Sequence, residues 1–465
     1  MGFFPMLVSF SVSNFRSIGE EITLTMVASN QYADHPAHIM PLPTVDQKVV
    51  RTAVIYGANG AGKSNLVKAI AQAQDMILGR WPQKGSIDPY AFTPDSKTTP
   101  SSFEFRFVAA DRIFAYGFDI CRGSICAEWL AVVSKAGEEP LFERNAEGHT
   151  TIHGAAIKKR FGDDGAFLLL LESIAGTDLK DSQLFLNRAS EVRANKLGPT
   201  MQAIIEWFSH TLVVVPIDGA HEHILRRLSK EPALVTFAEK LLKAVGTGVD
   251  GLRLVEQRGV IPDGMRDTLD TMADWSASYP DSDTLLVRDP EVPGRFMVRK
   301  LMANHTRDGR EYQLPMREES DGTRRLLAIA SLLTSGGTQA RVFVVDELDR
   351  SLHPTLCWRF LELFADSVPG AQRQLIVTTH EAHLLNQELL RRDEYWFMEK
   401  DETQQSRLVP LSAYRDVRKD LHLEKGYLNG RFGAVPLIGS ADRLQELLAP
   451  CAKEMVGDAA QTAEA

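Results

Sequence analysis

One segment, Val54 to Ser64, constrains the fold of this chain more than any other. Its sequence is Val-Ile-Tyr-Gly-Ala-Asn-Gly-Ala-Gly-Lys-Ser. A short apolar run, Ala53 to Tyr56, precedes the glycines, and the amphipathic pattern after them predicts a helix from Lys63 to about Gly79. Strand, glycine loop and helix in this order let successive backbone N–H groups turn inward around phosphates. The segment therefore predicts a nucleoside triphosphate site, with a chance glycine-rich turn as the alternative.

The residue types of this phosphate loop each have an expected role. Lys63 can reach the β- and γ-phosphates, and Ser64 can hold Mg²⁺. The helix that follows adds the partial positive charge of its N-terminus. The residues predicted to contact the nucleotide here are Gly57, Asn59, Gly60, Gly62, Lys63 and Ser64.

A second motif lies far downstream, where a β-branched and aromatic run from Arg341 to Val345 is followed by two acids. Such a run predicts a strand that is covered on both faces, and the carboxyl ends of these strands present ligand-binding residues. Asp346 is the predicted Mg²⁺ ligand, and Glu347 is the predicted general base for an attacking water. An acidic helix cap after a strand is the alternative.

Three shorter pieces flank this acidic strand. Ser320 and Gly322 open an apolar helix and offer a hydroxyl and free N–H groups to an anion. Asp349 follows the acid pair, and a second buried strand that begins at Gln374 ends in His380. Taken singly, these pieces have plain alternatives, namely a capped helix, a polar turn and a histidine at a strand end.

Taken in order, the motifs resemble those of the ABC-type ATPases, in particular the branch that contains SMC, RecF and the overcoming-lysogenization proteins. The opening from Val8 to Ser17, which ends in Asn-Phe-Arg-Ser, is similar to the N-terminal strand of that branch. The resemblance implies an α/β fold, an ABC-type P-loop ATPase head with a mixed sheet. It also implies ATP and Mg²⁺ as cofactors and ATP hydrolysis as the reaction.

The same resemblance implies a site that is shared between two copies packed head to tail. Ser320 and Gly322 of one copy would cap the γ-phosphate that the phosphate loop of the other copy holds. Asp349 would cross the interface, and His380 would contact the γ-phosphate or the water. Arg16, in the Asn-Phe-Arg-Ser element, would contribute to nucleotide binding. The implied partner is therefore a second copy of the chain.

Two positions depart from the family pattern. The family usually has a glutamine that senses Mg²⁺ after an early strand, whereas Gln72, Gln74 and Gln83 lie on or near the first predicted helix. That role stays unassigned. Glu319 stands directly before Ser320, where the family signature usually has a leucine.

The C-terminal part carries a closer likeness. The segments Tyr395 to Asp401 and Tyr427 to Pro436 resemble SMC-like AAA ATPases of bacterial anti-phage operons. This likeness implies a sensor or scaffold subunit that controls a separate toxic effector, a nuclease or another toxin. A DNA-clamping ATPase of DNA repair or chromosome processing is the alternative, and a translation- or RNA-directed ATPase is a third. For residues 427–436, a packed cap without chemistry is the plain alternative.

The motifs also predict the domain organisation. Residues 1–150 and 311–450 form two lobes of the ATPase head, a mainly helical insertion lies between them at 151–310, and a frayed tail follows at 451–465. Strand-like runs in residues 1–150 predict an antiparallel layer beside the parallel sheet. The pattern within the insertion predicts helices, among them Leu179 to Val192 and His221 to Leu228. No sustained heptad pattern runs through the insertion, so a compact helical lid is expected in place of a long coiled-coil arm.

Composition bears on compartment and partners. A net charge of −9 over 465 residues argues against broad coating of nucleic acid, although it allows a local DNA groove. Cys121 and Cys126 lie on the two arms of a predicted hairpin and are expected to be buried free thiols, which indicates a reducing compartment. No apolar run reaches the roughly 20 residues that a membrane span requires. The sequence therefore predicts a cytoplasmic protein.

Overall fold

The structure is a computed structural model that describes most of the chain. The described residues are 3–80, 87–162, 164–177, 179–193, 196–216, 225, 227–258, 277–278, 284–288, 296–334, 340–366, 372–415, 417 and 421–433. Gln83, residues 434–436, the predicted tail at 451–465 and most of a helix predicted from His221 to Leu228 lie outside them.

Strands and helices are numbered in chain order. The strands are β1 Met6–Ser13, β2 Ile22–Thr25, β3 Ile39–Pro41, β4 Lys48–Val50, β5 Thr52–Tyr56, β6 Ser101–Ala109, β7 Arg112–Cys121, β8 Ser124–Ser134, β9 Gly137–Arg144, β10 Thr150–Ile152, β11 Leu212–Val215, β12 Gly251–Arg258, β13 Ala277–Ser278, β14 Thr284–Arg288, β15 Phe296–Arg307, β16 Arg310–Pro315, β17 Arg341–Val345, β18 Arg373–Thr379, β19 Tyr395–Lys400 and β20 Ser406–Pro410. The α-helices are α1 Lys63–Ile77, α2 Gly154–Phe161, α3 Gly165–Ala175, α4 Phe185–Ser190, α5 Gly198–Glu206, α6 Pro232–Val245, α7 Asp321–Leu333, α8 Pro354–Ala365 and α9 Leu423–Leu428.

A six-stranded sheet at the centre of the molecule has the order β11-β17-β18-β5-β19-β20. Its neighbouring strands run parallel from β11 to β19, and β20 pairs antiparallel to β19 at one edge. Every residue of β5 and of β18 is buried, as the continuous apolar runs predict for strands that are covered on both faces. The phosphate loop and the acid pair follow β5 and β17, so both lie at the carboxyl edge of this sheet.

Alternate residues of β5 enter two different cores. Ala53 and Ile55 pack into the core that also contains α1, whereas Val54 and Tyr56 pack into the core that contains α7 and α8. This alternation follows from the two-residue period of a strand. The central sheet is thereby fixed between helices on both faces, and the predicted mixed α/β fold is confirmed.

A second, antiparallel sheet covers the outer side of α1. It has seven strands in the order β10-β9-β8-β7-β6-β1-β2. Its inner face is rich in aromatic residues, and Phe105 and Phe107 of β6 pack against Trp207 and Phe208. Helix α1 therefore lies between two sheets, which fixes the direction in which its N-terminus points.

In the described part of the region from residue 151 to 310, five helices, with strand β11 among them, come before strands β12 to β15. Helices α2 to α6 occupy its first part, and the helix predicted from Leu179 to Val192 is shorter, because only α4 forms there. The second part builds an antiparallel sheet with the order β12-β15-β14-β13, to which β16 adds by pairing with β15. In the chain, β16 is followed directly by residues 316–324, here called the signature segment, which contains Ser320 and Gly322.

The cysteines correct one expectation. Cys121 and Cys126 were expected to be buried free thiols, but they form a disulfide with their Cα atoms 5.8 Å apart, and both are partly exposed. The tight turn between β7 and β8 brings the two side chains together. Cys121 and Cys126 therefore do not indicate a reducing compartment. Cys357 is free and buried.

Among the described residues, no helix is long and apolar enough to cross a membrane.

A buried carboxylate joins the antiparallel sheet to the insertion. Glu128 of β8 accepts hydrogen bonds from the Tyr116 hydroxyl at 2.7 Å and from the backbone amide of Phe185, at the start of α4, at 2.8 and 2.9 Å. Burial raises the pKa of Glu128 to about 7, and these hydrogen bonds together with the charge of Arg144 oppose the shift.

This raised pKa predicts a pH dependence of stability. The unfolded carboxyl loses its proton near the ordinary value of 4.5, whereas the folded one holds it to about 7. Rising pH across this interval therefore favours unfolding, by about 3 kcal/mol in all. Urea unfolding of wild type and Glu128→Gln across this pH range should show that the variant lacks this part of the pH dependence.

The exposed residue Glu147 provides the matched control, because Glu147→Gln should leave the pH dependence of wild type unchanged. Parallel curves of stability against pH for wild type and Glu128→Gln would contradict the account of this carboxylate.

Candidate nucleotide-binding site

The phosphate loop connects β5 to α1 with two glycines in the left-handed region. Gly60 has a φ of 78° and Gly62 a φ of 111°. A Cβ at Gly60 would meet no atom within 4 Å, so the loop is open to a ligand there. A Cβ at Gly62 would lie 2.1 Å from the Ser406 Oγ atom, so only glycine fits at this position.

Lys63 places its ammonium group inside this loop. The side chain is buried, and its Nζ donates to the carbonyl oxygens of Gly57 at 2.7 Å and of Ala58 at 3.1 Å. Burial lowers the pKa of Lys63 to about 8, and the nearby carboxylates of Glu347, Asp346 and Asp349 oppose the shift. The predicted phosphate-binding lysine and the predicted acids are therefore brought together.

The acid pair is held by a threonine that the sequence analysis did not identify. Thr378, near the end of β18, is buried and donates from Oγ1 to Asp346 Oδ1 at 2.6 Å. The same hydroxyl accepts from the backbone amide of Glu347 at 2.8 Å. One hydroxyl thus orients the predicted Mg²⁺ ligand and the backbone of the predicted base. Parallel pairing of β17 with β18 brings it there, and this pairing is not visible in the sequence.

The turn that contains Asp346 and Glu347, here called the acid turn, has a strained backbone that Arg325 supports. Glu347 has a φ of 48°, which is uncommon for a residue other than glycine. Arg325 of α7 donates from Nη2 to the carbonyl oxygens of Asp346 at 2.7 Å and of Glu347 at 2.6 Å. The helix that begins at the signature segment therefore holds the backbone of the acid pair in the same chain.

His380 lies where the phosphate loop and the acid turn approach each other. Its Nδ1 is 3.4 Å from Lys63 Nζ, and its backbone amide donates to both carboxylate oxygens of Asp349, at 3.2 and 3.3 Å. Burial and the neighbouring Lys63 charge lower the pKa of His380. The imidazole is therefore poised to act in its neutral form, as an acceptor or donor of a hydrogen bond.

Ser320 and Gly322, the residues predicted to contact a partner's nucleotide, lie at the start of α7. Ser320 is exposed and caps the helix, because its Oγ accepts from the Thr323 amide at 3.1 Å. Gly322 packs closely against the loop that follows the acid pair, and a Cβ there would lie 2.8 Å from the carbonyl oxygen of Ser351. The hydroxyl of Ser320 and the first turn of α7 are thus presented at the surface.

The N-terminal element lies beside the phosphate loop. Arg16 forms an ion pair with Asp88 at 3.0 Å. The hydroxyl of the next residue, Ser17, accepts from the Asn65 side chain at 2.7 Å. Ser406 Oγ, 2.7 Å from Ser17 Oγ, also donates to the carbonyl of Ala61 at 2.7 Å. Ser406, which no sequence motif marked, therefore connects this element to the loop.

The two described glutamines of α1, Gln72 and Gln74, make contacts within the protein. Gln74 donates to the carbonyl oxygens of Phe208 and Leu212, so its amide holds the insertion against α1. The side chain of Gln72 is buried within α1. The position of the sensing glutamine remains unassigned among the described residues.

The described part of the C-terminal segment is a packed cap. Phe397 stacks on Tyr427 and Phe432, and the hydroxyl of Tyr414 donates to the carbonyl of Phe432 at 2.9 Å. Tyr427 also contacts Tyr56, the residue before the phosphate loop. The cap thus supports the strand that carries the loop.

Comparison with known proteins supports an ATPase domain of the P-loop class. The family model described as "AAA domain, putative AbiEii toxin, Type IV TA system" matches residues 53–150 and 262–386, a little under half of the chain. These segments contain the phosphate loop, the signature residues, the acid pair and His380. No curated protein matches the chain. A crystal structure of the SmcHead bound to the C-winged helix domain of ScpA superposes with a TM-score of 0.40 and 14% identity, over 87% of this chain and 96% of that one.

The residues present fit a Mg²⁺–nucleotide complex. The loop is open at Gly60, a buried ammonium points into it, and a buried carboxylate lies close to that ammonium. Lys63 and the loop amides would hold the phosphates, and Ser64 and Asp346 would hold the ion. When bound, Mg²⁺ neutralises phosphate charge and favours in-line attack.

The position of Thr378 predicts a test of the acid turn. Thr378→Val removes the donor to Asp346 and leaves the Glu347 amide without its acceptor. We expect hydrolysis of ATP at limiting Mg²⁺ to fall by about 10- to 100-fold, as for other residues that orient a metal ligand. Thr378→Ser keeps the hydroxyl and should stay close to wild type. Equal Mg²⁺ dependence of Thr378→Val and wild type would refute this role.

Proposed function

We propose that the chain is an ATP-binding and ATP-hydrolysing ABC-type ATPase that works as a homodimer. The observation that carries this proposal is the convergence of Lys63, the acid pair and His380 at one edge of the central sheet. A phosphate loop alone fits many nucleotide-binding proteins. Glu347 lies near Lys63, and Thr378 orients Asp346, the proposed Mg²⁺ ligand. This combination supports hydrolysis of the nucleotide as well as binding.

Each residue has a distinct part in the proposed reaction. Lys63 exchanges its contacts with the Gly57 and Ala58 carbonyls for contacts with phosphate oxygens. Glu347 accepts the proton of the attacking water, and its backbone is held in place for this task by Thr378 and Arg325. His380, whose neutral form is favoured, bonds the γ-phosphate or the water.

The exposed start of α7 supports a dimer in which each site is completed by a second copy. Ser320 and Gly322 lie at the start of a helix, where free N–H groups favour a phosphate. In the proposed head-to-tail dimer they cap the γ-phosphate of the partner's nucleotide, and Asp349 approaches the interface beside His380. ATP binding closes the dimer, and hydrolysis reopens it.

Variants of the phosphate loop and the base separate binding from hydrolysis. Lys63→Ala should weaken ATP binding by at least about tenfold, because a charged donor to the phosphates is lost. Glu347→Gln should retain ATP while hydrolysis falls by about 10²- to 10⁴-fold, because the general base is gone and Asp346 remains. Equilibrium binding of a fluorescent ATP analogue and phosphate release measure the two effects. Wild-type hydrolysis by Glu347→Gln would remove the base assignment.

Dimer closure is tested with the same Glu347→Gln background. ATP should convert this variant from monomer to dimer in analytical ultracentrifugation. Adding Ser320→Arg should block the conversion while ATP binding to each monomer persists, because the arginine occupies the space of the partner's γ-phosphate. A dimer that forms equally well with Ser320→Arg would contradict the shared site.

In its cellular role, we infer a sensor or scaffold subunit that controls a separate toxic effector, in the cytoplasm. The likeness of the C-terminal segments to ATPases of anti-phage operons supports this role. The Glu347→Gln protein, purified from its native host with ATP, should carry a nuclease or other toxin that mass spectrometry identifies. Recovery of DNA and repair factors instead would favour a DNA-clamping ATPase.

A further inference from the structure

A partly buried contact between a histidine and a glutamate lies directly before Ser320. Glu319, the residue before Ser320, contacts His305 of β15, with 2.6 Å between the carboxylate Oε1 and the ring Nε2. The side chain of Glu319 is 8% exposed and that of His305 is 25% exposed. The contact is therefore largely protected from water, where a charged hydrogen bond is stronger than at the surface.

The second ring nitrogen of His305 contacts a different part of the insertion. His305 Nδ1 lies 2.8 Å from the carbonyl oxygen of Gly248, in the loop after α6. A carbonyl only accepts, so Nδ1 carries a hydrogen, and Nε2 faces a carboxylate that accepts as well. The carboxylate of Asp250 also lies near this ring, and it accepts from the Thr306 amide at 2.8 Å.

Three parts of the chain thus meet at one imidazole: the loop that ends α6, the antiparallel sheet of the insertion, and the segment that enters α7. Ser320 follows Glu319 in extended backbone, and it is the last residue before the helix. The contact of Glu319 with His305 therefore holds the backbone directly before the Ser320 hydroxyl. The sheet that contains β15 carries none of the nucleotide motifs, yet it is bonded to the residue next to one of them.

We propose that His305 and Glu319 are positioning residues through which the insertion sets the placement of Ser320, and hence the rate of ATP hydrolysis in the closed dimer. This inference rests on the proposed function. Its basis is the contact with His305 that Glu319 makes directly before Ser320. If a bound partner shifts the sheet that contains β15, His305 and Glu319 shift with it. Ser320 then changes its position relative to the γ-phosphate bound by the second copy.

The test compares three variants. Glu319→Ala removes the contact, so kcat for ATP hydrolysis should fall by about tenfold, as loss of a charged hydrogen bond predicts. Affinity of the monomer for a fluorescent ATP analogue should not change, because the phosphate loop is untouched. Glu319→Gln should restore most of the rate, since its amide can bond to a neutral or a charged imidazole. Glu143→Ala, which breaks the exposed His153–Glu143 pair, is the matched control and should behave as wild type.

A second measurement does not depend on catalysis. Amide hydrogen exchange of the nucleotide-free protein should be faster in Glu319→Ala than in wild type across residues 316–324, where the Thr323 amide is held by Ser320. Glu319→Gln should show exchange close to wild type.

The outcomes separate this inference from the proposed function. If wild type hydrolyses ATP and Glu319→Ala has the same kcat and the same amide exchange, the positioning role alone is overturned. Wild type that does not hydrolyse ATP overturns the proposed function, and the exchange measurement then decides whether the pair still orders the signature segment. A loss of rate in both Glu319→Ala and Glu319→Gln would also overturn the role, because any change of the side chain would then be disruptive.

Discussion

The site depends on a buried positive charge that the protein can tolerate only with specific partners. Lys63 is 5% exposed, and removing an ammonium from water is costly unless oxygen atoms replace the water. Two loop carbonyls do so directly, and three carboxylates lie near enough to favour the charge. A bound triphosphate offers stronger acceptors than the carbonyls, so the same burial that lowers the pKa of Lys63 favours a phosphate ligand.

The backbone of Glu347, the proposed general base, is held from both sides. Glu347 adopts a left-handed backbone, and such strain persists only where surrounding contacts enforce it. Thr378 bonds its amide and Arg325 bonds its carbonyl. Arg325 belongs to the helix that Ser320 caps. The proposed contact with one nucleotide and the support of the proposed base for the other are therefore five residues apart on one helix.

Local patterns predicted much of this structure. The strand from Ala53, the helix from Lys63, both buried strands of the central sheet and the antiparallel layer lie where their periodicity indicates. Thr378, Arg325 and Ser406 were not identified, because their roles arise from strand pairing and from packing between distant segments. The disulfide of Cys121 was missed for a related reason, since a tight hairpin is compatible with free thiols or with a bridge.

A structure of the Glu347→Gln protein with ATP and Mg²⁺ tests the central claim most directly. The account predicts the triphosphate within the loop between β5 and α1, with Lys63 Nζ on phosphate oxygens and no longer on the carbonyls of Gly57 and Ala58. It also predicts Mg²⁺ beside Asp346 and the Ser320 hydroxyl of a second copy on the γ-phosphate. A nucleotide bound elsewhere, with Lys63 still on the two carbonyls, would contradict it.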